Sequence, residues 1–588
     1  MTSQLQPLVE MAPPAVELES LGDGSSLVRS RQVLAPHARL LTDWLQRWAT
    51  ERPQQTFVAE RTSGGEWRHC SYAEALARAQ RIGQTLLDRG LGPERPLMVL
   101  SENSIDHAML ALGASWSGVP IVPVSVAYSL LSGDHGKLRE IAKLVTPGLV
   151  FASDTSRYAA ALRAIGQPGV SMAELLACEP GDRLRAAHAA LGPDSIVKVL
   201  FTSGSTGTPK GVINTQRMIT ANQQQALQLW PFLAKTPPVV VDWLPWSHTF
   251  GGNFNFHMVL SHGGTLYIDA GKPMPGAIET TLSNLADVSP TMYFNVPRGF
   301  ELLIPRLEQD AQLRRKFFSR CAVVFYAGAA LPQTVWQSFA RLAYSERQGD
   351  LALVSAWGST ETGPMATAVH FPTEGHGAIG LPVPGCEIKL LPNAGKLEAR
   401  LRGPNITPGY WRNPRQTAEA FDADGYYRIG DALKFVDSER PEAGFRFDGR
   451  VAEDFKLITG TWVHVGALRL RLIEAAEGLI QDAVITGHDR AEAGALLFLD
   501  PGRCTGLSQD AIRRRIAEAL GRLASADAGS SMRIRRALVL HEPPQLDAGE
   551  INDKGYLNQR AVLARREASV LQLYQEPAAA DLIRPPEA

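Results

Sequence analysis

The sequence predicts an α/β protein with a large N-terminal domain and a smaller α+β C-terminal domain. Three observations carry this. Apolar strand-like runs and helix-period segments alternate from about residue 96 to 360, as in parallel sheets with flanking helices. From about residue 380, short strands between Gly/Pro turns predict a small β-rich part. Beyond Gly449 and Arg450, short strands (483–486, 495–499) mix with helices (508–523, 558–568). The predicted divisions are an extended lead-in (1–36), the large domain (37–450), the second domain (451–575) and a disordered tail (576–588).

In order along the chain, residues 40–50 and 72–89 carry apolar side chains at helical spacing. The second helix stops at Gly90 with Arg89 in its last turn. A strand at 96–100 and a helix at 102–117 follow. The stretch 108–133 holds no charge and is long enough to span a bilayer, but Gly113, Gly118, Pro120 and Pro123 interrupt it. It reads as a buried helix ending near Ser117 and a strand at 119–124, so no membrane insertion is expected.

Composition excludes several classes. Lys and Arg total 59 against 60 Asp and Glu, which argues against a nucleic-acid partner. The five cysteines form no C-x-x-C pair, so neither a zinc site nor a disulfide framework is expected, and a reducing, cytoplasmic setting fits. The N-terminus lacks a basic start before an apolar core, so no signal peptide is expected.

The chemistry-bearing stretch is 196–211. An apolar run at 196–201 reads as a strand, and Thr202, Ser203, Gly204, Ser205, Thr206 and Gly207 then form a small, hydroxylated loop closed by Thr208, Pro209 and Lys210. Glycines let the backbone approach an anion, hydroxyls add donors, and Lys210 adds a mobile charge. This is a phosphate grip, but not G-x-x-x-x-G-K-[ST], because Pro209 stands five residues after Gly204.

The string SGSTGTPKG resembles the phosphate loop of the adenylate-forming superfamily of acyl-CoA synthetases, luciferases and peptide-synthetase adenylation domains. Four more blocks match in order. In Trp357-Gly358-Ser359-Thr360-Glu361, the resemblance implies a phosphate contact for Thr360, Mg²⁺ for Glu361, and Trp357 near the adenine. Tyr326 to Pro332 implies Gly328, Ala329 and Ala330 along the adenine and acyl pockets. Tyr427 to Asp431 and Phe447 to Arg450 imply Asp431 on the ribose hydroxyls and Arg450 on ribose or phosphate. Leu244 to Gly252 implies His248 beside the acid carboxylate. The run 402–417 also matches a family block and reads as structural.

The intervening text is similar to feruloyl-CoA synthetases. The implied activity is ATP- and Mg²⁺-dependent adenylation of a hydroxycinnamic acid, then transfer to coenzyme A. Phe250, Asn253, Asn255, Tyr293 and Phe294, with His248 and Gly328, are expected to form the acid pocket. The resemblance also implies a mobile C-terminal domain that brings one lysine to the adenylation step. A G-K-x-x-x-R ending is absent; Asp553-Lys554-Gly555-Tyr556 stands there, so Lys554 is the candidate and Lys456 its rival. The hinge departs too, with Ala452 where Asp or Lys is usual, and V-x-P-x-E reads Val463 to Ala467.

The alternatives are a ligase for another aryl or medium-chain fatty acid, a stand-alone adenylation enzyme, and a non-catalytic nucleotide-binding protein. An amino-acid-activating module would place an Asp near His248, but residues 246–260 hold no Asp or Glu. A serine hydrolase would need G-x-S-x-G, which is absent. A homodimer is compatible with the sequence.

Overall fold

A computed structural model describes residues 9–203, 209–328, 331–347, 351–373, 377–525, 529 and 532–586. Three sheets build the large domain. The first runs Leu149–Ala152, Leu97–Leu100, Ile121–Pro123, Ile196–Ser203 and Pro209–Thr215; the first four strands are parallel and the last is antiparallel. Leu97–Leu100 is buried along its whole length, as a strand covered on both faces should be. The second sheet contains Val239–Asp242, Thr265–Ile268, Thr56–Arg61 and Trp67–Ser71.

The third sheet has eleven strands. Met292–Asn295, Val323–Tyr326 and Ala352–Gly358 are parallel, and Met365–Ala368 then reverses the direction. The Gly/Pro-punctuated strands from Ala378–Pro382 onward continue this same sheet, so the β-rich part is not detached.

Expectation and structure differ at both termini. Val16–Ser20 and Ser26–Ser30 form a hairpin whose second strand pairs with Glu387–Asn393, where an extended lead-in was expected. The weak periodicity of the surrounding Pro-, Ser- and Glu-containing run hid the strands, and pairing with a distant edge supplies the missing stabilisation. At the other end Ile583 bridges to Ala537 and is buried, so this part of the tail packs on the second domain.

The helix Ile105–Ser117 ends at Gly118, which adopts the left-handed φ of 70° that closes many helices. Among the described residues no helix is long and apolar enough to cross a membrane. The C-terminal domain has its own three-stranded sheet, Ile480–Thr486, Ala493–Leu499 and Ile534–Val539. Its core, from Phe455 to Ile583, is separate from the cores of the large domain, which is what an independently packed unit requires.

Candidate active site

The phosphate-grip sequence joins two antiparallel strands: Thr202 pairs with Lys210 and Ser203 with Pro209. Gly204, Ser205, Thr206, Gly207 and Thr208 lie outside the described residues, as do Ala329 and Ala330. Lys210 extends its ammonium to 5.3 Å from the Tyr410 ring centre, a cation–π distance. The Tyr410 hydroxyl donates to Glu361 Oε1 at 3.1 Å. A basic strand end, a phenol and a buried carboxylate are thereby linked.

Main-chain contacts fix this arrangement. Trp411 N–H donates to the Gly211 carbonyl at 2.7 Å and Ile213 N–H to Gly409 at 3.1 Å, while Thr407 N–H reaches the Glu361 carbonyl at 2.8 Å. The segment 402–417, read from sequence as structural, is the brace between the grip and the Glu361 turn.

That turn follows Ala352–Gly358. Ser359 Oγ accepts from Glu361 N–H at 3.2 Å, and Thr360 and Glu361 are both buried. Gly358 has φ 156°, and a Cβ there would lie 2.0 Å from the Pro364 carbonyl oxygen, so no larger residue fits. The Glu361 carboxylate could hold Mg²⁺ in the way that ion prefers, through one or two protein carboxylates with nucleotide phosphates completing the shell. Among the described residues no cluster of three or more His, Cys, Asp or Glu could bind a metal by itself.

Asp431 lies on Tyr427–Phe435 opposite Arg450. Its Oδ2 accepts from Trp357 Nε1 at 3.0 Å. Oδ1 is buried without a hydrogen-bond donor, with Arg450 Nε 3.5 Å away. Burial pushes the Asp431 carboxyl up to about 6, against the lowering effect of Arg450 and Trp357. A buried acceptor in need of donors suits a hydroxyl-bearing ligand.

His248 stands just before the π-helical turn Phe250–Asn255, in the large domain. Its Nε2 lies 2.6 Å from Asp553 Oδ2 of the C-terminal domain. Burial would raise the Asp553 carboxyl, but His248, Lys554 and Ser125 override it and hold the group well below the usual carboxylate range. Lys554 is exposed on the same turn. Lys456 sits in the small hairpin with Trp462, its ammonium 5.1 Å from that ring centre. Tyr556 closes over Gly328: a Cβ at Gly328 would lie 2.5 Å from the Tyr556 hydroxyl.

The expected acid-pocket residues divide. Phe250, Phe254 and Phe294 pack around Phe325, with ring centres 5.4 Å from it. Tyr293 is a correction. Successive residues of a strand face opposite ways, and Tyr293 packs against Phe300 and Phe317 in a separate core, away from the Phe250 cluster. Asn253 and Asn255 are fully buried. Asn253 donates to Asn214 and Thr249, and Asn255 to Asp242, yet each Oδ1 lacks a partner.

Two contributors escaped the sequence reading. Lys198 is buried in Ile196–Ser203, donates to the Gly252 carbonyl at 2.8 Å, and burial lowers its amine to about 7. A lysine inside an apolar strand run was its signal. Asp553 was visible only as a departure from the expected lysine motif.

The family model described as AMP-binding enzyme matches residues 45–411, and that described as AMP-binding enzyme C-terminal domain matches 457–578. The chain is 24% identical to a carboxylic acid reductase of Mycobacterium marinum over 81% of its own length, and spans 44% of that protein. It is 25% identical to the long-chain-fatty-acid–CoA ligase FadD15 of Mycobacterium bovis, covering 78% of this chain and 82% of that one. Identity to an anthranilate–CoA ligase of Pseudomonas aeruginosa reaches 31% over 45% of this chain and 48% of the other. Among solved structures, ATP-bound MatB from Rhodopseudomonas palustris superposes with a TM-score of 0.66 at 21% identity, covering 90% of this chain and 99% of that one. The AMP-bound A-PCP didomain of the Segniliparus rugosus carboxylic acid reductase gives 0.70 at 20% identity, covering 92% and 83%. The fold is the α/β adenylate-forming fold, with a large N-terminal and a smaller C-terminal domain.

Proposed function

Because the chain belongs to the AMP-binding enzyme family, we propose that it is an ATP-dependent acid–CoA ligase that works through an acyl-adenylate. The observation that carries this is the linkage of Lys210 through Tyr410 to Glu361, on the turn that follows the strand whose Trp357 donates to Asp431.

In this reading Thr202, Lys210 and Thr360 bind the ATP phosphates. Asp431 accepts from the ribose hydroxyls through its unpartnered Oδ1, with Arg450 beside it. Glu361 would hold Mg²⁺, which would supply positive charge to neutralise the phosphates. His248 orients the acid carboxylate, and Lys554 places positive charge near the reacting oxygens. A carboxylate oxygen attacks the α-phosphorus and pyrophosphate leaves. The thiol sulfur of CoA then attacks the acyl carbonyl and AMP leaves. The CoA-ligase relatives support free CoA as the thiol, and the free cysteines are compatible with a cytoplasmic setting.

We assign the acid to the hydroxycinnamate class, with ferulate as the leading candidate. The buried, unpartnered Asn253 and Asn255 oxygens, on the same π-helical turn as Phe250, support it, because a phenolic hydroxyl could satisfy such acceptors. The test is pyrophosphate release with ferulate, coumarate, caffeate, benzoate and octanoate. The hydroxycinnamates should turn over fastest. Preference for octanoate would leave the ligase reading intact and reject the acid assignment.

A further inference from the structure

The turn 551–556 belongs to the C-terminal domain, but its tip is spent on the large one. Within its own domain the turn is preset. Asn552 Oδ1 accepts from the N–H groups of Lys554 and Tyr556, both at 2.9 Å, and Ile551 bridges to Leu557. The preceding Glu550 is fully buried and paired with Arg566 at 2.7 Å. This rigid tip presents Asp553 to His248 at 2.6 Å, with the two side chains only 6% and 12% exposed.

Neighbouring contacts dock the same segment. Asp547 accepts from Ser132 Oγ at 2.6 Å and Gly133 N–H at 3.0 Å, and Lys137 Nζ reaches the Leu546 carbonyl at 3.2 Å. The main chain at His248 is held locally: its N–H donates to the Pro245 carbonyl, and its carbonyl accepts from Gly252 at 2.8 Å. Those bonds fix the main chain but not the ring's χ2 torsion, which is broad for an imidazole. Asp553 is what selects one orientation.

We propose that Asp553 is a positioning residue for His248, so that the acid site is complete only while the C-terminal domain is docked. The inference rests on the ligase reading for its catalytic consequence, but the clamp itself is a property of the two domains. A carboxylate this buried needs its partner, because losing one member of a buried pair leaves an uncompensated charge. Domain docking and ring orientation therefore support each other, and the coupling is reciprocal.

The test compares wild type, Asp553→Ala, His248→Ala, the double variant and Asp553→Glu. Acid-dependent ATP–pyrophosphate exchange is measured alongside amide hydrogen exchange over 545–557 and 132–137. Asp553→Ala should lower the kcat of exchange on the order of 10²-fold, the scale of a misplaced reacting group. Asp553→Glu should restore part of it, and the double variant should be no slower than His248→Ala. Both single alanine variants should speed amide exchange in the docked segments.

Independent, multiplying losses would overturn the proposal, as would unchanged amide exchange in both single variants. If Asp553→Ala fails to fold, Asp553→Asn keeps the shape and removes the charge, and the same comparisons apply. If wild type exchanges pyrophosphate with no acid, the ligase reading fails, while the amide-exchange comparison still decides whether the clamp exists.

Discussion

The indole N–H of Trp357 donates to Asp431 Oδ2 at 3.0 Å, tying the end of one strand to a carboxylate on another. The other oxygen of Asp431 is buried without a hydrogen-bond donor. This gives the site an acceptor that burial makes reluctant to ionise, with a measurable pH signature.

The folded-state pKa of Asp431 is raised from 3.8 to about 6. The folded protein therefore holds this proton more tightly than the unfolded chain. The stabilising contribution is full below 3.8 and is lost as pH rises through about 6. At pH 7 to 8 the buried charge burdens the fold. Asp431→Asn should then raise the thermal midpoint there, by about 1 kcal/mol in stability, and raise the KM for ATP about 10- to 100-fold, as for a lost hydrogen bond to a charged group. In wild type, ATP affinity should fall as pH drops through about 6. A variant with unchanged ATP KM would remove Asp431 from the nucleotide site.

Tyr410→Phe deletes only the hydroxyl that donates to Glu361. The fold should persist by circular dichroism. The Mg²⁺ concentration for half-maximal pyrophosphate exchange should rise, with exchange falling about tenfold or more. Unaltered Mg²⁺ dependence would separate Glu361 from the metal.

Lys554 is exposed next to Asp553, whose side chain is paired with His248, and Lys456, also exposed, lies against Trp462. Lys554→Ala should slow adenylation about 10²–10³-fold. Thioester formation from supplied acyl-adenylate should fall far less. Lys456→Ala should leave adenylation nearly intact. Equal loss in both half-reactions for Lys554→Ala would shift the assignment to Lys456.

Asn253 is buried, donates to Asn214 and Thr249, and keeps a free oxygen. Wild type should favour ferulate and coumarate over cinnamate in kcat/KM, since unpaired buried groups penalise an analogue lacking the hydroxyl by up to about 10⁴–10⁵. Asn253→Ala should shrink that gap and destabilise the protein by about 1–3 kcal/mol through its orphaned partners. An unchanged gap would place the hydroxyl elsewhere.

Local residue patterns revealed the alternating α/β order, the strand ahead of the grip and the separate C-terminal domain, because strand and helix periods and Gly/Pro punctuation are local. Glu361 and Asp431 were named because each closes a block that resembles one of the adenylate-forming family. What the sequence hid is long-range. The partner of His248 lies 305 residues away. Tyr410 sat in a run read as scaffold, and only the fold brings its hydroxyl to Glu361. Tyr293 was misplaced because adjacent strand residues face opposite layers. The N-terminal hairpin was missed because its stabilising neighbour, Glu387–Asn393, is remote in sequence.

The most direct test of the central claim is to incubate the protein with ATP, Mg²⁺ and ferulate, without CoA, and identify the products by mass spectrometry. The expected products are pyrophosphate and feruloyl-AMP retained on the protein, and adding CoA should convert the latter to feruloyl-CoA and AMP. ADP with an acyl phosphate would contradict that claim.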